Sequence, residues 1–211
     1  MNRLKIEESL LQGALIREPV GNEQGYWSGA PGWVWDEKDQ AAYLCYRIRR
    51  PRGVEPDRGG EVRIAKSTDF ETFEDIWSVH KNAYDSASIE RSTVIRGKDG
   101  QWRYFTSFVA PEDGRWCTSI NKSESLESLD AANARQLFNS NDMELEGIKD
   151  PWLIEVDGIY HLFLSVAKNN TTTNEDSHDS LDIFNTGECK SATALATSPD
   201  LEQWDWQGII L

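Results

Sequence analysis

Gly147-Ile-Lys149-Asp150-Pro151-Trp152-Leu-Ile-Glu-Val-Asp157-Gly158-Ile-Tyr160-His161-Leu-Phe-Leu164 reads as a β-hairpin. Trp152-Leu-Ile154 is a short apolar strand, and Tyr160, Leu162 and Leu164 alternate with Ile159, His161 and Phe163 at the two-residue period of a second strand. Asp157-Gly158 between them is a strong tight-turn signal, because glycine accepts the positive φ of a primed turn. Pro151 biases Asp150 toward extended backbone, which places its carboxylate at the tip of the first strand.

The hairpin recurs upstream at Ser92–Ser107 and at Pro31–Tyr46, and the turn residues Asp39, Asp99 and Asp157 stand 60 and 58 residues apart. After each hairpin comes an alternating strand that ends on a serine and a turn: Ser67-Thr-Asp69-Phe70, Ser123-Glu-Ser-Leu126 and Ser198-Pro-Asp200-Leu201. Repeats of this length, built of strands without intervening helices, predict the blades of an all-β propeller. The expected division is an N-terminal segment over 1–28 and a partial β-propeller over 29–211, with about three four-stranded blades near 29–88, 89–147 and 148–211. Three such sheets close a ring poorly and leave strand edges unpaired, so the chain reads as a piece of a longer protein or one whose neighbours come from elsewhere.

A net charge of −14 argues against nucleic acid and against anionic membranes as partners. No apolar run approaches the roughly 20 residues of a membrane span, and the N-terminus lacks a secretory apolar region, so the expected compartment is the cytoplasm. Cys45, Cys117 and Cys189 form no close pair and read as free thiols, with Cys45 as core filler. His80, His161 and His178 are far apart, and no metal or other cofactor is expected.

Of the nine tryptophans, most are expected to pack the sheets, and Trp27, Trp33 and Trp152, beside strand entrances, are the candidates for stacking on a sugar ring. Residues 46–60 form a Pro/Gly/charge-rich loop with five arginines, where Arg47 or Arg49 could meet a ligand hydroxyl or anion. Residues 124–136 suggest a helical turn or two, or a turn and an extended piece. The third repeat carries an insertion over 168–190, so polar that a surface loop is expected, with His178 solvated in it.

The Lys149-Asp150-Pro151 … Asp157-Gly158-Ile-Tyr160 hairpin, the Ser198-Pro-Asp-Leu-Glu-Gln-Trp204 close and the repeat length resemble the five-bladed β-propeller glycosidases, the group of glycoside hydrolase family 43 and the invertase/levansucrase families. The resemblance implies a central funnel with three acids: a blade-one base or nucleophile before proline, a blade-three Asp that orients the sugar, and a blade-four general acid. Asp150 matches the orienting Asp. Aligned hairpins put Ala30, Arg91 and Asp150 at equivalent tips, so the blade-one acid is replaced by Ala30. Glu90, one residue before the aligned tip, is the second catalytic candidate, and Asp36 and Asp39 could replace the lost base. Arg91, Trp27, Trp33, Trp152, Arg47 and His161 complete the site as substrate-binding candidates. The implied function is cleavage of a glycosidic bond in an oligo- or polysaccharide. The alternative is a carbohydrate-binding propeller without catalysis, and a third possibility is a protein-interaction propeller.

Overall fold

The computed structural model describes residues 13–57, 59–170 and 172–211. Among these residues twelve strands form three antiparallel four-stranded sheets. The first runs in the order β1 (Trp27–Asp36), β2 (Ala41–Arg49), β3 (Glu61–Ser67), β4 (Glu74–His80). The second holds β5 (Ile89–Arg96), β6 (Trp102–Val109), β7 (Trp116–Ser123) and β8 (Arg135–Phe138), and the third β9 (Gly147–Val156), β10 (Ile159–Lys168), β11 (Lys190–Ser198) and β12 (Asp205–Ile209). A single parallel bridge, Trp116 to Gly147, links the second and third sheets into one continuous eight-stranded network. The opening strands β1, β5 and β9 lie side by side in sequence order, as neighbouring propeller blades place their inner strands.

Strand β6 shows why the sheets stack. Its alternate residues face opposite sides. Trp102 and Tyr104 turn toward the first sheet, where they meet Tyr43 and Trp77 edge-on at 4.7 and 5.1 Å between ring centroids. Phe105 turns toward the third sheet and meets Trp204 at 5.8 Å. The neighbours answer these rings with small side chains: Ala41 and Cys45 in the first interface, Ala194 and Ala196 in the second, all fully buried. Cys45 is therefore core filler, and burial pushes its thiol pKa up to about 12.

The turns repeat as the strands do. Asp157 and Gly158 take φ values of 51° and 82°, the left-handed pair of a type I′ hairpin. Ser67 and Ser198 each accept the amide of the residue three ahead, while Asp69 and Asp200 each cap two further amides. Phe70 and Leu201 hold the same left-handed conformation in these turns. Between Asp130 and Arg135 one short 3-10 turn leads into β8, so residues 124–136 contain both of the expected alternatives.

Arg17 lays its guanidinium over the Tyr46 ring and donates to the Phe73 carbonyl at 2.6 Å, which pins the segment around residue 17 on the first sheet. Leu4, Ile6, Leu10 and Leu11 lie outside the described residues, and residues 13–26 form neither helix nor strand. The opposite outer face, on the third sheet, presents Trp152, Ile154, Val156 and Ile159 to solvent.

The hairpin turns of adjacent sheets are tied by ions. Arg96 bonds Asp36 through Nε and Nη2 at 2.9 and 3.1 Å and also reaches Asp39. Asp36 and Asp39 therefore sit at the turn end of β1, remote from the strand entrances, and the expectation that they replace a lost catalytic base is corrected. Burial raises the Asp36 pKa, but hydrogen bonds from Arg96 and the Asp39 amide outweigh it and the net shift is downward. A depressed carboxyl pKa stabilises the fold above its unfolded value and loses that contribution as pH falls through the folded value. Arg96→Ala leaves Asp36 buried without its cation and is expected to cost about 3 kcal/mol at pH 7 in urea unfolding. The loss is expected to shrink as Asp36 is protonated in acid, and a cost independent of pH would contradict this account.

Candidate functional site

Each opening strand is interrupted at the same place. On β1, Gly29 and Gly32 pair with Arg47 and Cys45, so Ala30 and Pro31 together face one residue. On β5, Ile89 and Ser92 pair with Phe108 and Thr106, which leaves Glu90 and Arg91 against one. On β9, Lys149 and Trp152 pair with Ser165 and Phe163, which leaves Asp150 and Pro151 against one. These are β-bulges with two residues opposite one. They make Ala30, Glu90 and Asp150 equivalent tips and Pro31, Arg91 and Pro151 equivalent second residues, which corrects the alignment that put Arg91 at the tip. Ala30 and Asp150 take left-handed φ values of 51° and 57°. The prolines stand where the ladder needs no N–H. Gly32 lets β1 approach β5: an added Cβ would meet the Ser92 carbonyl oxygen at 2.6 Å.

The tips are joined by a chain of alternating charge. Arg47 Nη1 lies 3.0 Å from Glu90 Oε1, and Lys149 Nζ lies 3.3 Å from Glu90 Oε2 and 3.8 Å from Asp150 Oδ2. Glu90 is thus paired with Arg47 and Lys149 and not with Arg91. The Lys149 ammonium sits between the rings of Trp116 and Phe184, 5.2 and 4.7 Å from their centroids. The Asp150 amide donates to Ser107 Oγ at 2.9 Å, fixing the third tip to the second sheet. Burial raises the Asp150 pKa; Lys149, Arg91 and Arg47 pull it back and Glu90 adds to the rise, with a net shift upward.

Two adjoining hollows share Asp150, Ser165 and Thr193. One, of about 430 Å³, is walled by Ala30, Arg91, Trp152 and Phe163. The other, of about 450 Å³, is walled by Lys149, Phe184 and Asn185. Glu90 instead lines a separate cavity of about 60 Å³ beside Arg47. The structure therefore brings Asp150, Arg91 and Trp152 together and holds Glu90 and Arg47 behind them as an ion pair. Trp27 lies against the Arg47 guanidinium at 6.0 Å, and Trp33 packs edge-on to Phe70 at 6.4 Å. His161 lies four residues along β10 from Ser165, its Nδ1 3.1 Å from the Ile159 carbonyl. None of these three lines either hollow. Trp27, Trp33 and Trp152 are nevertheless the exposed tryptophans among the described residues.

The third-sheet insertion is a packed element and not simply a polar surface loop. Ile183 is fully buried with Val109, Trp116 and Ala167, and Leu181 and Phe184 pack on them. His178 Nε2 contacts Glu146 Oε2 at 3.0 Å and is mostly buried, which corrects the expectation of a solvated histidine. Phe184 fits because residue 147 is glycine, where an added Cβ would come within 3.0 Å of the ring. Sequence reasoning gave no role to Lys149, Ser107 or Phe184. Lys149 stood within the motif, beside Asp150, whereas Ser107 and Phe184 reach the site only through folding.

No family model matches the chain, and neither does any curated protein. Solved structures do. An exo-1,5-alpha-L-arabinanase from a bovine ruminal metagenomic library superposes with a TM-score of 0.56 at 15% identity, covering 93% of this chain and 61% of its own. An alpha-L-arabinofuranosidase from Clostridium thermocellum gives 0.53 at 16%, covering 87% and 52%, and a xylan beta-1,4-xylosidase from Bacillus halodurans gives 0.52 at 16%, covering 87% and 30%. The chain thus spans less than two thirds of the length of these structures. The fold is that of family 43 glycoside hydrolases, as the sequence resemblance implied.

Asp150→Asn separates charge from backbone, because asparagine also accepts the left-handed conformation. A carboxyl whose folded pKa is raised destabilises the fold increasingly as pH climbs from its unfolded to its folded value. The variant is therefore expected to have a higher Tm than wild type at pH 7 and no such gain at pH 3, as scanning calorimetry at both pH values would show. A lower Tm at pH 7 would contradict it.

Proposed function

We propose that the paired hollows bind a saccharide, with Asp150 as the carboxylate that orients it and Trp152 and Phe163 as its apolar wall. The observation that carries this reading is Asp150 itself. It is a partly exposed carboxylate on a strained tip, at the junction of both hollows and beside two aromatic rings. Trp152 and Phe163 lie 5.4 Å apart and tilted, forming an apolar surface against which the C–H face of a sugar can rest. Ser165 and Thr193 supply hydroxyls to the same space. The likeness to an arabinanase, an arabinofuranosidase and a xylosidase supports arabinose- or xylose-containing glycosides as the ligand class.

Among the described residues, this arrangement favours holding a glycoside over cleaving it. Hydrolysis uses two carboxyl groups flanking the bond. Ala30 presents none, and Glu90, which lines neither hollow, is engaged by Arg47 and Lys149. The raised pKa of Asp150 favours a second reading, glycoside hydrolysis with Asp150 as a proton carrier and the second acid supplied from outside these residues.

Calorimetric titration with xylotriose and with arabinotriose tests the first reading. One of the two is expected to bind, with Asp150→Asn and Trp152→Ala each weakening it about tenfold, a loss of about 1.4 kcal/mol. Glu202→Gln, at the turn end of the sheets, is expected to leave Kd unchanged. Binding indifferent to Asp150 and Trp152 would refute the site. Release of nitrophenol from nitrophenyl arabinosides or xylosides, abolished by Asp150→Asn, would establish the second reading instead.

A further inference from the structure

Arg91 differs from most of the described arginines. The chain has 36 acidic and 22 basic residues, so carboxylates are in surplus. Arg17, Arg47, Arg50, Arg63, Arg96 and Arg103 each lie within 3.2 Å of a carboxylate oxygen. Arg91 contacts none among the described residues. Its Nη2 donates to the Pro31 carbonyl at 2.9 Å, and its Nε is buried without a partner. It is nevertheless half-buried in the wall of the 430 Å³ hollow, opposite Asp150 and next to Ala30.

The bulge register explains the missing counter-ion. The neighbouring tips carry Glu90 and Asp150, and each has a cation within 4 Å. The remaining tip is Ala30, adjacent to the carbonyl that Arg91 holds, so Arg91 acts on Asp150 only through space and, among the described residues, makes no contact ion pair. Across the tip cluster, Arg47, Arg91 and Lys149 face Glu90 and Asp150, one positive charge in excess on a chain of net charge −14. Free guanidinium N–H groups form a planar fork that matches a carboxylate.

We propose that the hollow selects acidic sugars, the ring carboxylate of a uronic acid serving as the counter-ion that Arg91 lacks. This rests on the saccharide reading of the same hollow and adds its chemical class. The uronate carboxylate occupies the space that Ala30 leaves open, and the ring hydroxyls turn to Asp150, Ser165 and Thr193. The acidic surface of the protein repels such a ligand at long range, but screening confines that repulsion to about 8 Å at physiological salt. The contact with Arg91 is local and outlasts that repulsion at physiological salt, and as an ion pair in the wall of an open hollow it weakens as salt rises further.

The test is a calorimetric comparison of a glucuronic-acid-bearing xylo-oligosaccharide with its carboxyl-reduced, glucose-bearing counterpart. The two differ in charge at one carbon. Wild type is expected to bind the acid form at least tenfold more tightly, with an advantage that falls as sodium chloride rises. In Arg91→Gln the ratio is expected to collapse to about one, while Arg91→Lys keeps part of it; thermal melts establish that each variant is folded. Equal Kd values for the two sugars in wild type would overturn the proposal, as would a preference that survives in Arg91→Gln. If a variant does not fold, the salt dependence of the wild-type ratio decides, and a salt-independent ratio overturns the proposal. Asp150-dependent binding of the reduced sugar without preference for the acid form would sink the acidic class alone. Absence of binding by both sugars would sink the saccharide reading together with it.

Discussion

Two residues facing one, at the same depth in β1, β5 and β9, is the constraint on which the site depends. A regular strand turns successive side chains to opposite faces, so a side chain at its entrance points into one sheet interface or the other. An extra residue breaks that alternation, bends the strand and turns one side chain along the strand axis. With the three opening strands packed side by side, the three bulged residues converge at one end of the stack. The loops at that end, including the insertion after β10, surround them. The hairpin turns lie at the other end, with Arg96 and Arg103 joining neighbouring sheets there.

The converging tips bring like charges close, and the structure answers with interleaved cations. Lys149 is central to this. It pairs with both Glu90 and Asp150, and its own charge is covered by Trp116 and Phe184. The insertion therefore contributes to the site without contributing a titratable group to it. Its buried Ile183 anchors the loop, the anchor holds Phe184 over Gly147, and Phe184 holds Lys149. Packing energy in an apolar satellite cluster is converted into the position of an ammonium group beside Asp150.

Much of the fold was legible because its signals are local. Asp157-Gly158 states its own turn, the Ser-x-Asp turns at Ser67 and Ser198 repeat with the same hydrogen bonds, and β10 alternates from Ile159 to Val166. Asp150 was legible because Pro151 follows it. The equivalence of Glu90 was not. The three hairpin loops span 37–40, 97–101 and 157–158, and Asp39 and Asp99 stand third in theirs while Asp157 stands first, so an alignment anchored on the turn aspartates puts the third hairpin two residues out of step with the other two at the strand entrances. No proline or glycine marks the bulge at Glu90-Arg91. The ion pairs of Glu90 with Arg47 and Lys149 span tens of residues and leave no periodic trace. Leu181, Ile183 and Phe184 were masked by the polar run that precedes them, because composition averages over a segment in which three side chains decide the packing.

Ala30 shows that the backbone of a tip and the chemistry of a tip are separable. Left-handed φ is unfavourable for an alanine by roughly 1–2 kcal/mol and less so for an aspartate, whose side chain can bond locally. Ala30 keeps that conformation, as Asp150 does, although it has no polar group to gain from it. The strain is held by its surroundings: Gly32 packed onto the Ser92 carbonyl, Pro31 fixing the next φ, and Arg91 bonded to the Pro31 carbonyl. The bulge is thus enforced by contacts between adjacent sheets and not by the side chain it displays. One tip can present a methyl group, another a paired carboxylate and the third a partly exposed one, while the hollow they enclose keeps its shape. In such a scaffold, replacing a single tip side chain changes the charge lining the hollow without changing its walls, and Arg91 without a counter-ion is the electrostatic consequence.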